Sequence, residues 1–173
     1  MEMNKTIFID RDGVAIEDKG YLDNVEGVEL MPGFADALKT FRERGFKLVI
    51  ITNQSGIGRG KFNAEVVEQQ HARITELLKE FRVTIDLFKV CPHAPEDECD
   101  CRKPNTLLFE EAGQELLIDF EKSWMIGDKP SEIQAGKQMG CRSILFNGET
   151  HCDADFFTEN WPDTAQVISI LDR

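Results

Sequence analysis

Short, wholly apolar runs alternate with longer amphipathic stretches along the chain. Ile7, Phe8 and Ile9 form a continuous apolar run, the pattern of a parallel strand covered on both faces. Lys47-Leu48-Val49-Ile50-Ile51-Thr52 repeats it, and further strands are expected over 85–90, 123–126 and 142–146. Between these runs the apolar residues recur at helical spacing. Phe34, Ala37, Leu38 and Phe41 make one stripe, and Val66, Val67, His71, Ile74, Leu77, Leu78 and Phe81 make a longer one across 64–81. Pro32 is placed to open the first of these helices and Gly45 to end it. Helices are also expected over 105–117 and over 131–139, the latter closed by Gly140. From Asn147 the pattern is less regular, with an edge strand near 155–158 and a last helix over 162–171. Strands alternating with helices predict a parallel, right-handed α/β sheet. The length fits one domain over 1–173.

Polar residues collect where the apolar runs stop. The first strand ends in Asp10-Arg11-Asp12-Gly13, and Gly13 lets the chain turn directly after the acids. In open α/β sheets ligands sit outside the carboxyl ends of the strands. Asp10 and Asp12 therefore stand where chemistry occurs in such a fold, and two carboxylates one residue apart suit a hard cation such as Mg²⁺. Alone, the same four residues would also make an ordinary surface turn. An EF-hand is excluded, because the sixth position counted from Asp10 is Ala15 and the twelfth is Tyr21. Residues 14–31 read as a long segment after the acids. Either it is a flap that leans Asp18, Lys19, Gly20 and Tyr21 over the site, or it is a solvated connector.

The second strand runs into Thr52-Asn53-Gln54-Ser55-Gly56-Ile57-Gly58-Arg59-Gly60. Hydroxyls, amides and three glycines are what a phosphate-cradling loop needs, though a flexible surface loop has a similar composition. A Walker loop is excluded, since the Gly-Lys-Ser/Thr ending is missing. Arg59 and Lys61 lie close enough in sequence to meet a second anionic group. The third strand is followed by Cys91-Pro92-His93 and then Cys99-Asp100-Cys101-Arg102-Lys103-Pro104, and the fourth ends in Gly127-Asp128-Lys129-Pro130-Ser131-Glu132.

The net charge of −12 argues against a nucleic-acid or anionic-membrane partner. An anionic substrate would need a local cationic site or a metal. No apolar run approaches the roughly 20 residues needed to span a bilayer. The first residues lead straight into a strand without a signal-peptide pattern, so the expected location is the cytoplasm. Five cysteines, an odd number in a reducing compartment, argue against a disulfide framework. Cys91, His93, Cys99 and Cys101 supply four ligands of the kind tetrahedral Zn²⁺ takes, in a closed structural site spanning 91–101. Such a site would fold a loop and pin Arg102 and Lys103. Cys141 reads as a core thiol and Cys152 as a surface thiol.

Asp10, Thr52 and Asp128 each close a strand, and Lys103 follows another by a short loop. In one parallel sheet those ends share an edge, which assembles carboxylates, a hydroxyl and an ammonium suited to phosphoryl transfer. The order Asp10-x-Asp12, Thr52, Lys103, Gly127-Asp128 resembles the four motifs of the haloacid dehalogenase-like phosphatases over about residues 5–146. Asp10-Arg11-Asp12-Gly13, Thr52-Asn53-Gln54, Cys91-Pro92-His93 and Cys99-x-Cys101-Arg102-Lys103-Pro104 are similar to the subgroup holding heptose bisphosphate and histidinol-phosphate phosphatases.

The resemblance implies a three-layer, Rossmann-like sheet without a cap domain, since no interval between motifs has room for one. It implies Asp10 as nucleophile, Asp12 as general acid and then base, and Mg²⁺ held by Asp10, Asp12 and Asp128. Thr52 and Lys103 would steady the phosphoryl oxygens. Asp18, Lys19, Gly20, Tyr21, Asn53, Gln54, Ser55, Arg59, Arg102 and Lys129 would meet the substrate. Glu132 departs from the expected Asp and stays outside the metal set: it would reach a metal-bound water or serve as a helix N-terminal acid. The run 52–61 and the flap resemble the heptose enzyme, which makes a sugar bisphosphate the favoured partner of a monomeric protein. The short zinc loop is more similar to the histidinol-phosphate enzyme. A reading of another class, an inactive scaffold serving as a zinc-stabilised interaction module, requires that these motifs not operate.

Overall fold

The computed structural model describes residues 1–149 and 151–172. Six strands form one sheet: β1 (Thr6–Ile9), β2 (Lys47–Asn53), β3 (Leu87–Cys91), β4 (Trp124–Gly127), β5 (Arg142–Phe146) and β6 (Phe156–Thr158). All are parallel, in the order β3-β2-β1-β4-β5-β6. For β1 to β5 the sequence alternation required this, because a helix between successive strands returns the chain to the same end of the sheet.

The period of two along each strand divides the core between two faces. Ile7, Ile9, Leu48, Ile50, Trp124 and Ile126 point to one face. There they pack against α1 (Phe34–Glu43), α3 (Ala64–Leu78) and α6 (Trp161–Leu171). Phe8, Val49, Ile51 and Met125 point to the other, under α4 (Leu107–Leu116) and α5 (Pro130–Gln138). Fully burying each such side chain stabilises the fold by roughly 1.5–3 kcal/mol. Three layers result, with no element placed as a separate cap among the described residues.

The helices follow their capping chemistry with one correction. Asn63 opens α3 by accepting the Val66 amide at 3.1 Å, and Asn160 opens α6 by accepting that of Asp163 at 2.8 Å. Pro32 does not open α1. Gly33 caps that helix in the left-handed region at φ 80°, where glycine carries no steric cost, so the proline precedes the helix. Ser55–Gly58, expected as open loop, closes one turn of helix, α2. The third strand starts at Leu87, two residues later than its apolar pattern predicts. Asp86 instead turns inward to accept the Leu48 amide at 2.8 Å and to pair with Arg42 at 2.7 Å. The irregular tail expected from Asn147 includes position 150, which lies outside the described residues. Its far end forms β6 and α6 as expected, with Trp161 buried and donating to the Val14 carbonyl at 2.8 Å.

The strand order reverses direction between β1 and β4. Crevices for ligands form at such a switch point, outside the carboxyl ends of the strands. Asp10 follows β1 and Asp128 follows β4, so the fold puts both on the two sides of that crevice.

Candidate active site

At the crevice Asp10 is nearly buried, and its amide continues the sheet ladder by donating to Ile126 at 3.0 Å. The Lys103 ammonium reaches it from the far side of β2. It donates to Asp10 Oδ1 at 2.8 Å, to the Ile51 carbonyl at 2.9 Å and to Glu132 Oε1 at 3.2 Å. Three acceptors for three N–H donors leave this buried cation fully satisfied. Asn53 fixes the lysine backbone from both sides: its carbonyl oxygen accepts the Lys103 amide at 3.0 Å, and its amide donates to the Lys103 carbonyl at 3.3 Å.

Asp10, Asp128 and Glu132 bring a carboxylate oxygen each to within 4.8 Å of one another. The expected ligand Asp12 does not add its side-chain carboxylate to this group. Asp12 turns its carboxylate to Arg11, which grips it through Nε at 3.0 Å and Nη2 at 3.1 Å, and to Gln54 Nε2 at 2.8 Å. Glu132 takes the third place, but its own oxygens are engaged. Besides Lys103, it accepts the amides of Asp128 at 2.9 Å and Lys129 at 3.2 Å. It is the N-terminal acid of α5, and it holds the Asp128 turn and the lysine together. The remaining demand is at Asp128, whose Oδ1 is buried without a hydrogen-bond partner. A hard cation between Asp128 and Asp10 satisfies that oxygen, so the donor set fits Mg²⁺.

The electrostatics report the same crowding. Burial, and then the charge of Glu132, push Asp10 up to about 7, with Lys103 acting against the rise. Burial and the charge of Asp10 raise Asp128 to about 6. For Lys103 burial opposes the charge, but Asp10 and Glu132 outweigh it and the pKa rises. Carboxylates that resist ionising beside one another are what a divalent cation relieves.

In front of these groups lies a cavity of about 260 Å³. Asp10, Asp12, Asp18, Gly20, Tyr21, Asn53, Gln54, Ser55, Arg102 and Lys129 line it, together with Gly56, Phe62, Ser131 and Glu132. Thr52 is buried behind the lining, its hydroxyl accepting from Gln54 at 2.8 Å. The segment 14–31 is neither simply flap nor connector. Val14, Ala15 and Ile16 are core, while Asp18, Gly20 and Tyr21 face the cavity. Lys19 and Arg59 are not among its lining. Lys19 pairs with Glu29 at 2.7 Å, and Arg59 with Glu96 at 3.2 Å. Lys61 sits over the Tyr21 ring at 4.8 Å. Arg102 keeps Nη1 buried and unpartnered beside the cavity.

Cys91, His93, Cys99 and Cys101 converge as their spacing predicts. The sulfurs lie 3.0 to 3.7 Å apart, and His93 Nδ1 is 3.6 Å from Cys91 and 3.2 Å from Cys101. Tetrahedral Zn²⁺ with bonds of about 2.3 Å to sulfur needs ligand atoms roughly 3.5–3.8 Å apart. Asn105 braces the knuckle by donating to the Cys99 carbonyl at 2.8 Å.

Gly56, Phe62, Ser131 and Glu132 were not among the expected site residues. Glu132 carried a signal, as an acid four positions after Asp128 in the first turn of a helix. His71, read as a flank of the α3 stripe, is buried and stacks on Phe88 at 4.5 Å.

The sheet, its switch point and the Asp10–Lys103–Asp128 constellation define a hydrolase class. The model of the haloacid dehalogenase-like hydrolases matches residues 5–140, and the chain belongs to that family. Among its relatives is the D-glycero-beta-D-manno-heptose-1,7-bisphosphate 7-phosphatase of Helicobacter pylori, 44% identical over 79% of each chain. The protein of that name from Haemophilus influenzae is 40% identical over 99% of this chain and 100% of its own. A solved D,D-heptose 1,7-bisphosphate phosphatase from B. bronchiseptica, complexed with magnesium and phosphate, superposes with a TM-score of 0.88. It is 25% identical and covers 96% of this chain and 99% of that one.

Proposed function

We propose that the protein is a Mg²⁺-dependent phosphatase that removes the 7-phosphate of a D-glycero-D-manno-heptose 1,7-bisphosphate. The observation that carries the reading is Lys103 held against Asp10 at the sheet edge, facing a cavity with Arg102 and Lys129 on its wall. Relatives carrying that name along most of the chain support the substrate.

Asp10 attacks phosphorus through a carboxylate oxygen. The bond from phosphorus to the sugar oxygen breaks, its electron pair goes to that oxygen, and Asp12 supplies the proton. Water then attacks the aspartyl-phosphate while Asp12 takes its proton back. The bond between Asp10 and phosphorus breaks, which returns the carboxylate and releases phosphate. Lys103 neutralises charge at Asp10 and on the phosphoryl oxygens, and the Thr52 hydroxyl, held by Gln54, is assigned to the same oxygens. Asp10 and Asp128 are the residues to hold Mg²⁺, which when bound offsets phosphoryl charge. Asp12, engaged by Arg11 and Gln54, is reserved for the proton.

Zn²⁺ on Cys91, His93, Cys99 and Cys101 is structural in this reading. It anchors the loop that delivers Arg102 and Lys103. Asp18, Gly20 and Tyr21 contact the sugar, and the protein works as a single-domain monomer in the cytoplasm. The test is phosphate release with Mg²⁺ from heptose bisphosphate and from histidinol phosphate. Faster turnover of histidinol phosphate reverses the substrate assignment; release from neither substrate favours the inactive scaffold.

A further inference from the structure

Arg11 is the one fully buried charged residue of the first motif that the mechanism leaves without a task. Its side chain is 1% exposed, and a guanidinium is kept in such a place only when its donors are used. Nε and Nη2 form the fork on Asp12. Nη1 donates to Gln70 Oε1 at 2.7 Å and lies 3.3 Å from His71 Nε2. Gln70, on α3, is itself fully buried. Its Nε2 donates to the carbonyls of Leu22 at 2.8 Å and Asn24 at 3.1 Å. The amide has one orientation open to it, because its partners on one side only donate and on the other only accept.

A continuous chain of hydrogen bonds therefore runs from the backbone just after Tyr21, through Gln70 and Arg11, to both oxygens of Asp12. The other hold on Asp12 is Gln54. An unsupported aspartate at a cavity wall rotates about two torsions, whereas a bidentate fork fixes its plane.

We propose that Arg11 and Gln70 are positioning residues that aim Asp12 at the leaving oxygen, and that Gln70 ties this aim to the flap carrying Asp18 to Tyr21. The inference rests on the proton-transfer role given to Asp12 above. It fixes where that role is controlled: outside the cavity, on a helix that touches no substrate.

Leaving groups separate aim from mere stability. A sugar alkoxide leaves poorly and needs the proton, whereas p-nitrophenolate leaves without one. The measurement is single-turnover release of the leaving group by the Mg²⁺-loaded protein, on heptose bisphosphate and on p-nitrophenyl phosphate. Asp12→Asn sets the reference, with release slowed about 10²-fold or more on the sugar phosphate and far less on the aryl phosphate. Gln70→Met, nearly isosteric but without hydrogen bonds, is expected to slow the sugar phosphate about tenfold or more and to leave the aryl phosphate within about threefold. Gln70→Glu retains the acceptor for Arg11 and loses the donors to Leu22 and Asn24. It is expected to recover release while raising KM on the sugar phosphate; should Gln70→Met not fold, an unchanged KM in Gln70→Glu overturns the tie to the flap.

Equal loss on both substrates in Gln70→Met, or none on either, overturns the proposal while Asp12→Asn retains its selective loss. An Asp12→Asn variant that slows both substrates alike overturns the proton-transfer role and the proposal with it.

Discussion

Lys103 and Asp10 are separated by 93 positions in sequence, yet the ammonium of one donates to the carboxylate of the other at 2.8 Å, both nearly excluded from solvent. Neither residue reaches the other by local structure. The lysine comes over the β3–α4 connection, held by Asn53 at the end of β2, and the aspartate by β1.

Breaking this pair has two consequences of opposite kind. Lys103→Met leaves Asp10 and Glu132 without their shared cation, so turnover is expected to fall at least about 10²-fold. Removing one partner of a buried pair also costs about 3–5 kcal/mol. Steady-state phosphate release and denaturant unfolding read the two losses separately. Activity within tenfold of the parent would show that the lysine does not act on the reacting group.

Stability without metal carries a signature in pH. Asp10 near 7 and Asp128 near 6 lie above their ordinary value of 3.8. The folded state therefore binds more protons than the unfolded one between about pH 4 and 7. These two groups favour folding at low pH and oppose it as pH rises through that window, by at most about 1.4 kcal/mol per pH unit each. His71 works the other way. Burial and then Arg11 lower it to about 3, so its contribution is full above its ordinary value of 6.5 and is lost as pH falls toward 3. Asp10→Asn is accordingly expected to raise the Tm of the metal-free protein more at pH 8 than at pH 5. Adding Mg²⁺ to the parent at pH 8 should recover the difference. A Tm gain independent of pH would contradict the raised Asp10.

Removing zinc should act at a distance. The knuckle ends at Cys101, two residues before Lys103, and metal binding is coupled to folding. Treatment with a zinc-selective chelator is expected to lower Tm and then activity, and restoring Zn²⁺ should recover both. Metal analysis of the purified protein is expected to give one zinc per chain; finding none would remove the structural site.

Gly13 carries a constraint on the metal site. It lies at φ +84°, and a Cβ there would stand 2.5 Å from Asp128 Oδ2. Gly13→Ala combines backbone strain with displacement of that carboxylate, at a cost of order 1–3 kcal/mol. The expected result is a raised Mg²⁺ requirement for turnover, measured by metal titration. An unchanged requirement would mean that Asp128 does not hold the ion.

The strands were legible because their cores are uniform: Ile7 to Ile9 and Leu48 to Ile51 admit no helical stripe and no half-exposed alternation. Their ends were legible for the same reason, since polar residues directly after a fully buried strand have few places to go. What escaped the sequence depends on competition between contacts. Two glycines in Ser55–Gly58 conceal a helical turn that tertiary packing permits despite poor propensity. Asp12 reads from the sequence as a carboxylate beside Asp10, and the pairing of its side chain with the neighbouring Arg11 is not written in that spacing. Lys19 and Arg59 looked free, and nearby glutamates bind them instead. Glu132 shows the reverse: an acid that reads as either a helix N-terminal acid or a partner of metal-bound water is placed by folding against three donors.

Because no separate cap lies over the crevice among the described residues, the reacting groups and the selecting groups belong to different parts of the chain. The former sit on strand tips that the whole core immobilises. The latter hang on the flap, whose tip 18–21 is exposed, and on the cysteine knuckle, whose turn 95–98 is exposed, while only the bases of these segments pack in the core. Substrate choice in this scaffold is thus free to drift, or to be redesigned, by exchanging surface segments while the bond-breaking apparatus remains as it is.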